Sequence, residues 1–255
     1  MINKEIINKK SKYSHNEDYF KVIDSEYKAY ILGFIIADGS IEDNNRIKKS
    51  GEDSITYRLT FCNSVDDKEI IDKIKEQISP ESIIYHTINT KGAISRKEQL
   101  VLRICSRILC TDLINLYNIQ PRKTLNNTFE INLDKIPNNL LKHFIRGFFD
   151  GDGTVSFHKY NNTIFFNFGF VFNSLNFTQQ ICKIFENLFD IKGVIYTHKS
   201  NTCIWYSLRF NYNRNRTEKI KEIYNYLYDD ANIYLTRKRD KFVNYLKYRA
   251  NSKNS

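Results

Sequence analysis

The chain has 255 residues, with 39 Lys and Arg against 29 Asp and Glu for a formal charge of +10, and 41% of it is hydrophobic. That apolar share can build a core for one large domain or two of roughly 100–150 residues, which excludes general disorder. No apolar run of about 18 residues exists, and the opening MINKEIINKK has no apolar signal core, so neither a membrane span nor secretion is expected. A basic surplus on a folded chain points to a polyanionic partner, nucleic acid before membrane. The cysteines, Cys62, Cys105, Cys110, Cys182 and Cys203, are odd in number and irregularly spaced. They form neither a disulfide framework nor a zinc pattern and read as reduced thiols inside a cell.

The first recognisable element is AYILGFIIADGS, residues 29–40, an apolar helix with Asp38 at its C-terminal end. Strands follow at about 40–48 and 54–63. An amphipathic helix from Val65 to Ile78 then places Ile70, Ile71, Ile74 and Ile78 on one face. Strands at about 82–89 and 98–105 and a helix at about 106–117 close a first unit, residues 1–120. The stretch 121–139, with Pro121 and Pro137, reads as a linker.

Residues 140–255 repeat the pattern. HFIRGFFDGDGT, residues 143–154, ends its helix on Asp152. Strands are expected at about 154–160 and 163–173. A helix from Leu175 to Phe189 carries Phe177, Ile181, Ile184, Phe185 and Leu188 as its apolar face. Strands at about 193–199 and 203–211 and a helix at about 215–228 follow. Four matches occur in the same order in both copies: Asp38 with Asp152, Asn63-Ser64 with Asn173-Ser174, Leu102-Arg103-Ile104 with Leu208-Arg209-Phe210, and Arg122-Lys123 with Arg237-Lys238. The order αββαββα, written twice, predicts an α+β fold of two pseudo-symmetric halves with antiparallel sheets.

In the two glycine-aspartate helices, Gly33 and Ala37 share a face, as do Gly147 and Gly151. Small residues at that spacing let two backbones approach closely. If the helices pack on each other, Asp38 and Asp152 emerge together, and Gly39 and Gly153 are expected to end each helix in the left-handed manner. Two carboxylates at negative helix ends repel each other, and a divalent cation relieves both problems. Hard oxygen donors suit Mg²⁺.

These residues resemble the LAGLIDADG homing endonuclease family in its single-chain, two-motif form. ILGFIIADG, residues 31–39, and IRGFFDGDG, residues 145–153, carry the resemblance, together with PRKT at 121–124 and LTRKRDKF at 235–242. The resemblance implies two αββαββα halves joined through the motif helices, with both sheets forming a basic saddle over double-stranded DNA. It implies that Asp38 and Asp152 bind Mg²⁺ beside scissile phosphates, with Ca²⁺ as a substitute that does not support cleavage. Water would then cut each strand, leaving short 3′ overhangs. The position before the first acid is Ala37, and no ligand role is assigned to its backbone. The family usually has an acid two residues before the metal ligand. The second motif keeps it as Asp150, but the first has Ile36, which implies unequal rates at the two sites.

By the same resemblance Lys123 and Lys238 assist at the phosphate, and Asn63 and Asn173 orient solvent. The resemblance also implies that the strands read DNA; alternation puts Ser40, Arg46, Lys48, Arg58, Gln99, Arg103, Ser156, His158, Trp205 and Arg209 on the outer face, as plain solvation would too, so the arginines are the informative part. The segment 235–255 holds seven basic residues, including Arg237 and Arg239, and one acid, Asp240, and is assigned phosphate contact. The histidines lack metal-ligand spacing. The leading expectation is a monomeric, intracellular, site-specific DNA endonuclease of a bacterium, phage or organelle. An intron-RNA maturase and a non-cleaving DNA-binding regulator on the same scaffold are the alternatives.

Overall fold

The structure, a computed structural model, describes residues 13–47, 53–89, 97–121, 123, 129–160, 163–211 and 216–253. The first half runs α1 (Glu26–Asp38), β1 (Gly39–Ile47), β2 (Asp53–Ser64), α2 (Lys68–Ile78), β3 (Ile84–Asn89), β4 (Lys97–Ile104) and α3 (Arg107–Tyr117). The second runs α4 (Leu141–Asp152), β5 (Gly153–Tyr160), β6 (Thr163–Phe172), α5 (Leu175–Phe189), β7 (Lys192–Lys199), β8 (Ile204–Asn211) and α6 (Arg216–Tyr228). The basic C-terminal segment forms a further helix, α7 (Thr236–Lys253), beyond the anticipated order. Each half holds one four-stranded antiparallel sheet, ordered β1-β2-β4-β3 and β5-β6-β8-β7. Among the described residues no helix is long and apolar enough to cross a membrane.

Helix starts follow the sequence. Ser25, Ser106 and Ser174 each accept a hydrogen bond from a backbone N–H of the first turn of α1, α3 and α5. The apolar face expected of α2, Ile70, Ile71, Ile74 and Ile78, is fully buried. On α5, Phe177, Ile181 and Phe185 are buried, but Leu188 is 49% exposed, so the buried stripe is narrower than the pattern implied. The second half packs largely on phenylalanine. Phe149, Phe168 and Phe170 of α4 and β6 meet one another and Phe242 or Phe185 in edge and tilted contacts with centroids 5.0–6.0 Å apart.

The halves join where α1 lies on α4. Ala29 to Ile36 are buried without a break, as a helix enclosed on all sides requires. The approach is set by the small residues. A Cβ on Gly33 would stand 2.0 Å from the Phe144 carbonyl oxygen, one on Gly147 would stand 1.9 Å from that of Tyr30, and one on Gly151 would stand 2.2 Å from the Ala37 Cβ.

Gly39 and Gly153 differ from expectation. They are extended, with φ of −79° and −74°, so neither uses the left-handed freedom of glycine. They are small because the chain turns straight from helix to strand against the previous turn. A Cβ would lie 2.8 Å from Ile35 Cα at Gly39 and 2.4 Å from the Phe149 carbonyl oxygen at Gly153. The left-handed helix ends are Asn118 (φ 60°) and Asp190 (φ 50°), after α3 and α5.

Gly33→Ala and Gly147→Ala each place a methyl inside a backbone contact that rotamer changes cannot relieve. Urea melts should show a loss of about 3 kcal/mol or more, or no folded protein. An exposed helical glycine would instead gain up to about 1 kcal/mol from the same change. Variants as stable as the parent would mean that the helices stand further apart.

Candidate active site

Asp38 and Asp152 occupy the last positions of α1 and α4, where the two helices converge. A Cβ on Gly151 would sit 3.3 Å from Asp38 Oδ2, which puts the first acid against the backbone of the second motif. Both carboxyls are held above the ordinary range. For Asp38 burial is the main cause, opposed by the Asn63 hydrogen bond and the charge of Lys238. Asp152 is pushed up to about 7, first by burial and then by repulsion from Asp38, against the attraction of Lys123 and Lys238.

Lys123 and Lys238 are buried at the same two helix ends. Lys123 Nζ donates to the carbonyls of Gly39 (2.7 Å) and Ala37 (3.4 Å). Lys238 Nζ donates to those of Phe149 (2.7 Å), Gly151 (3.0 Å) and Gly153 (2.7 Å). Each ammonium thus binds carbonyls of the last helical turn and of the first strand residue, and puts positive charge at the negative end of a dipole. Burial lowers both lysines to about 8, against the raising effect of the neighbouring acids. The Ala37 backbone, given no role from sequence, lies in this contact.

The two asparagines, matched in sequence, are not matched in space. Sheet register pairs Gly39 with Phe61 and Gly153 with Phe170, and Asn63 with Leu100 where Phe172 pairs with Tyr206. From Phe170 to Asn173 the second strand has one residue more than Phe61 to Asn63. Phe172, not Asn173, therefore stands at the position of Asn63. Asn63 Nδ2 donates to Asp38 Oδ2 at 2.9 Å, while Asn173 Nδ2 donates to the Lys123 carbonyl at 3.0 Å.

The extra acid of the second motif is a structural centre. Asp150 is fully buried and accepts from Tyr30 Oη (2.8 Å), Tyr228 Oη (2.9 Å) and the Leu235 N–H (2.7 Å). It ties α1, α4, α6 and the entry to α7 together just before Lys238. Ile36, its counterpart by motif position, is buried among apolar side chains.

The segment before α7 is gripped by its own half through Arg146 and by the opposite half through Glu26, Asp67 and Glu69. Arg146, with no exposed side chain, donates to the carbonyls of Ile233 and Leu227 (both 2.9 Å) and to Glu26 Oε1 (2.6 Å). Glu26 also accepts from Asn232 N (2.7 Å) and Nδ2 (2.8 Å). Glu69 accepts from Thr236 N–H and Oγ1 (2.8 Å each), and Asp67 takes the Arg237 guanidinium at 2.7 and 3.0 Å. The other lysine segment is held reciprocally, since Ser174 Oγ donates to the Phe129 carbonyl and Asn176 to Glu130. Each lysine caps the motif helix of its own half, while the segment that delivers it is also bound by the other half. Nothing in the residue pattern singled out Asp67, Glu69 or Arg146, because the partners that tie each to this segment lie more than 80 residues away.

The expected nucleic-acid residues fall into two groups. Ser40, Arg58 and Arg103 lie on the outer face of the first sheet, and Ser156, His158, Trp205 and Arg209 on that of the second. Arg58 is paired with Glu42, and Gln99 accepts from Cys62 Sγ (3.6 Å). Ser156 accepts from Asn167 (3.4 Å), while His158 stacks on Phe165 and Trp205 on His198. Arg46 pairs through its backbone with Ser54; its side chain and all of Lys48 lie outside the described residues. Arg237 and Arg239 are not on the sheets, the first being committed to Asp67 and the second lying 4.9 Å over the Tyr234 ring.

Residues 139–225 match the family model of a LAGLIDADG-like domain. The LAGLIDADG homing endonuclease I-GzeII, solved in complex with its DNA target, aligns over 91% of this chain and 92% of its own, with 15% identity and a TM-score of 0.54. The endonuclease I-LtrWI, bound to target DNA, aligns over 92% of both chains with 16% identity and a TM-score of 0.53. The uncharacterized protein MJ0314 of Methanocaldococcus jannaschii is 25% identical over 177 residues, 69% of this chain and 59% of its own length, so the chain spans less than two thirds of that relative. The resemblance carried by the two motifs thus holds across the fold: the second half bears the LAGLIDADG-like domain, and the chain has the α+β fold of the single-chain, two-domain LAGLIDADG homing endonucleases.

The cross-half clasp can be tested on Glu26. Burial alone would raise its carboxyl, but the hydrogen bonds from Asn232 and the charge of Arg146 hold it below its ordinary 4.5. The folded chain therefore takes up this proton less readily than the unfolded one. The stabilisation is complete above about pH 4.5 and drains away as pH falls through the lower, folded value. Glu26→Ala should cost about 3 kcal/mol at pH 7 by stranding buried Arg146. The gap to the parent protein in urea unfolding should narrow below pH 4.5; a gap independent of pH would deny the ion pair its role.

Proposed function

We propose that the protein is a site-specific, double-strand DNA endonuclease that hydrolyses one phosphodiester on each strand and leaves short 3′ overhangs. The observation that carries this reading is the pair of acids, Asp38 and Asp152, brought together at converging helix ends between two buried lysines. Solved proteins of this fold hold DNA, among them I-SmaMI bound to cleaved DNA. The charge of +10 favours a polyanion, and the two sheets would supply the saddle that seats a duplex.

The residues fit a divalent cation. Among the described residues no group of three or more His, Cys, Asp and Glu forms a closed cage. An ion held by one or two carboxylates, with water and phosphate oxygens completing its shell, needs none, and this is how Mg²⁺ is held beside phosphates. Asn63 Oδ1 is buried with no partner beside Asp38, an acceptor that a hydrated ion or its water would satisfy. Asp38 and Asp152 would hold the metal, and Ca²⁺ would bind without supporting cleavage. When bound, the ion supplies positive charge against the phosphate and lowers the pKa of water. Lys123 and Lys238 keep the helix ends closed and the acids in place. Asn63 fixes the rotamer of Asp38, a role that has no counterpart at Asp152.

The deciding experiment is cleavage of a randomised duplex library in Mg²⁺ and in Ca²⁺, with sequencing of the ends. Discrete cuts in Mg²⁺ only are expected. Asp38→Asn and Asp152→Asn should each lower double-strand cleavage by at least roughly 10²-fold while sequence-specific binding persists. Time courses should show a nicked intermediate, because only the first acid has an amide partner. Binding without cutting would point to a regulator, and retention of intron RNA instead of duplex would point to a maturase.

A further inference from the structure

Sheet register defines which residues of the two outer faces are equivalent. Ser40, Thr60 and Arg103 form one rung of the first sheet, and Thr154, Gly169 and Arg209 form the same rung of the second. Ser40 and Thr154 each lie two residues beyond an acid, so this rung is close to the acid pair. One step along, Tyr85 pairs with Val101 and Tyr196 with Ser207, which makes the two tyrosines equivalent as well. They are almost equally exposed, at 47% and 46%. Arg103 lies over the Tyr85 ring at 6.0 Å, and Arg209 over the Tyr196 ring at 5.6 Å.

The same device therefore occurs twice, related by the pseudo-symmetry of the chain, on surfaces that otherwise differ. Glu42 and Arg58 form an ion pair on the first face, where Ser156 and Asn167 stand on the second. Gln99 is replaced by Trp205, which stacks on His198 at 5.4 Å. Exposed tyrosines gain little by burial, and their shared feature is the arginine above them.

We infer that Arg103 and Arg209 each read a guanine at equivalent, inner positions of two half-sites, held for it by Tyr85 and Tyr196; this rests on the DNA-binding reading above. Stacking uses the flat face of a guanidinium and leaves its in-plane N–H donors available. Those donors match O6 and N7 of guanine in the major groove. Arg58 is tied to Glu42 through Nη2, and Arg237 to Asp67 through Nε and Nη2. Ordering the side chain before binding lowers the entropy lost on contact. The target should carry two G·C pairs, on opposite strands and equidistant from its centre, within half-sites that are otherwise unlike. The half read by the second sheet should depend more on apolar contact, such as thymine methyl groups against Trp205 and Phe165.

The test is selection of randomised duplexes by binding in Ca²⁺, for the parent protein and for surface variants whose folding is checked by thermal melting. The parent should select the symmetric G·C pairs. Arg103→Gln should lose roughly 5- to 150-fold on that site and show no preference at one pair only, with Arg209→Gln doing so at the other. Arg103→Lys should keep charge-driven affinity but not the guanine preference. Tyr85→Ala should weaken the preference at the Arg103 position alone, and Tyr85→Phe should retain it. Equal weakening on all four bases in the arginine variants would make these phosphate contacts and overturn the inference. So would a preference untouched by Tyr85→Ala, or a parental target without the symmetric pairs. Failure of the parent to retain any duplex would instead overturn the DNA-binding reading, and this inference with it.

Discussion

The contact of α1 with α4 decides the rest of the molecule. Two helices whose backbones meet at Gly33 and Gly147 have no side-chain layer between them at the crossing, so their C-terminal ends converge. Both ends carry an aspartate, and both helix dipoles are negative there. The fold thereby concentrates negative charge that bulk water screens poorly. Burial there raises both carboxyls, and repulsion from Asp38 adds to it at Asp152. Groups within the site have to offset this charge.

Part of the answer is built in. Lys123 and Lys238 are buried, which lowers their affinity for protons, yet each binds two or three carbonyls at the junction of helix and strand. A buried lysine is tolerable only where such acceptors and counter-charges surround it. The reciprocal grip on the lysine-bearing segments follows from the same need. Because Asp67, Glu69 and Glu26 of one half help to fix the entry to α7 of the other, separating the halves would also loosen a lysine-bearing segment. Interface and site are thus one structure.

Much of this was legible in the sequence. Alternation and the isoleucine stripe of α2 gave the elements, and the repeated glycine-aspartate helices gave the interface and the paired acids. Where reading failed, the cause was a partner that local pattern does not encode. Gly39 and Gly153 looked like left-handed caps, because glycine after a helix commonly is one. They are instead small residues at a crowded helix-to-strand turn. Leu188 fitted a helical stripe on α5, but the stripe is wider than the surface that covers it. Asn63-Ser64 and Asn173-Ser174 matched by residue type, whereas one added residue near the end of the second strand puts Phe172 in the place of Asn63. The pairing of Arg237 with Asp67 was out of reach for the same reason, its partner lying 170 residues away.

The two halves therefore share a plan but not a chemistry, and the differences fall in a pattern. What sets the acids, the helix crossing and the lysine caps is duplicated closely, because backbone contacts this tight admit few alternatives. Features one shell outward have diverged. An amide touches one acid and not the other, a carboxylate anchors the second motif where isoleucine fills the first, and the outer sheet faces exchange an ion pair for stacked rings. A single chain allows this. In a dimer of identical subunits every substitution appears twice, so both sites and both surfaces must change together. Joining the halves in one chain frees each surface to adapt to a different half of its ligand, while the shared interface keeps both acids at one place.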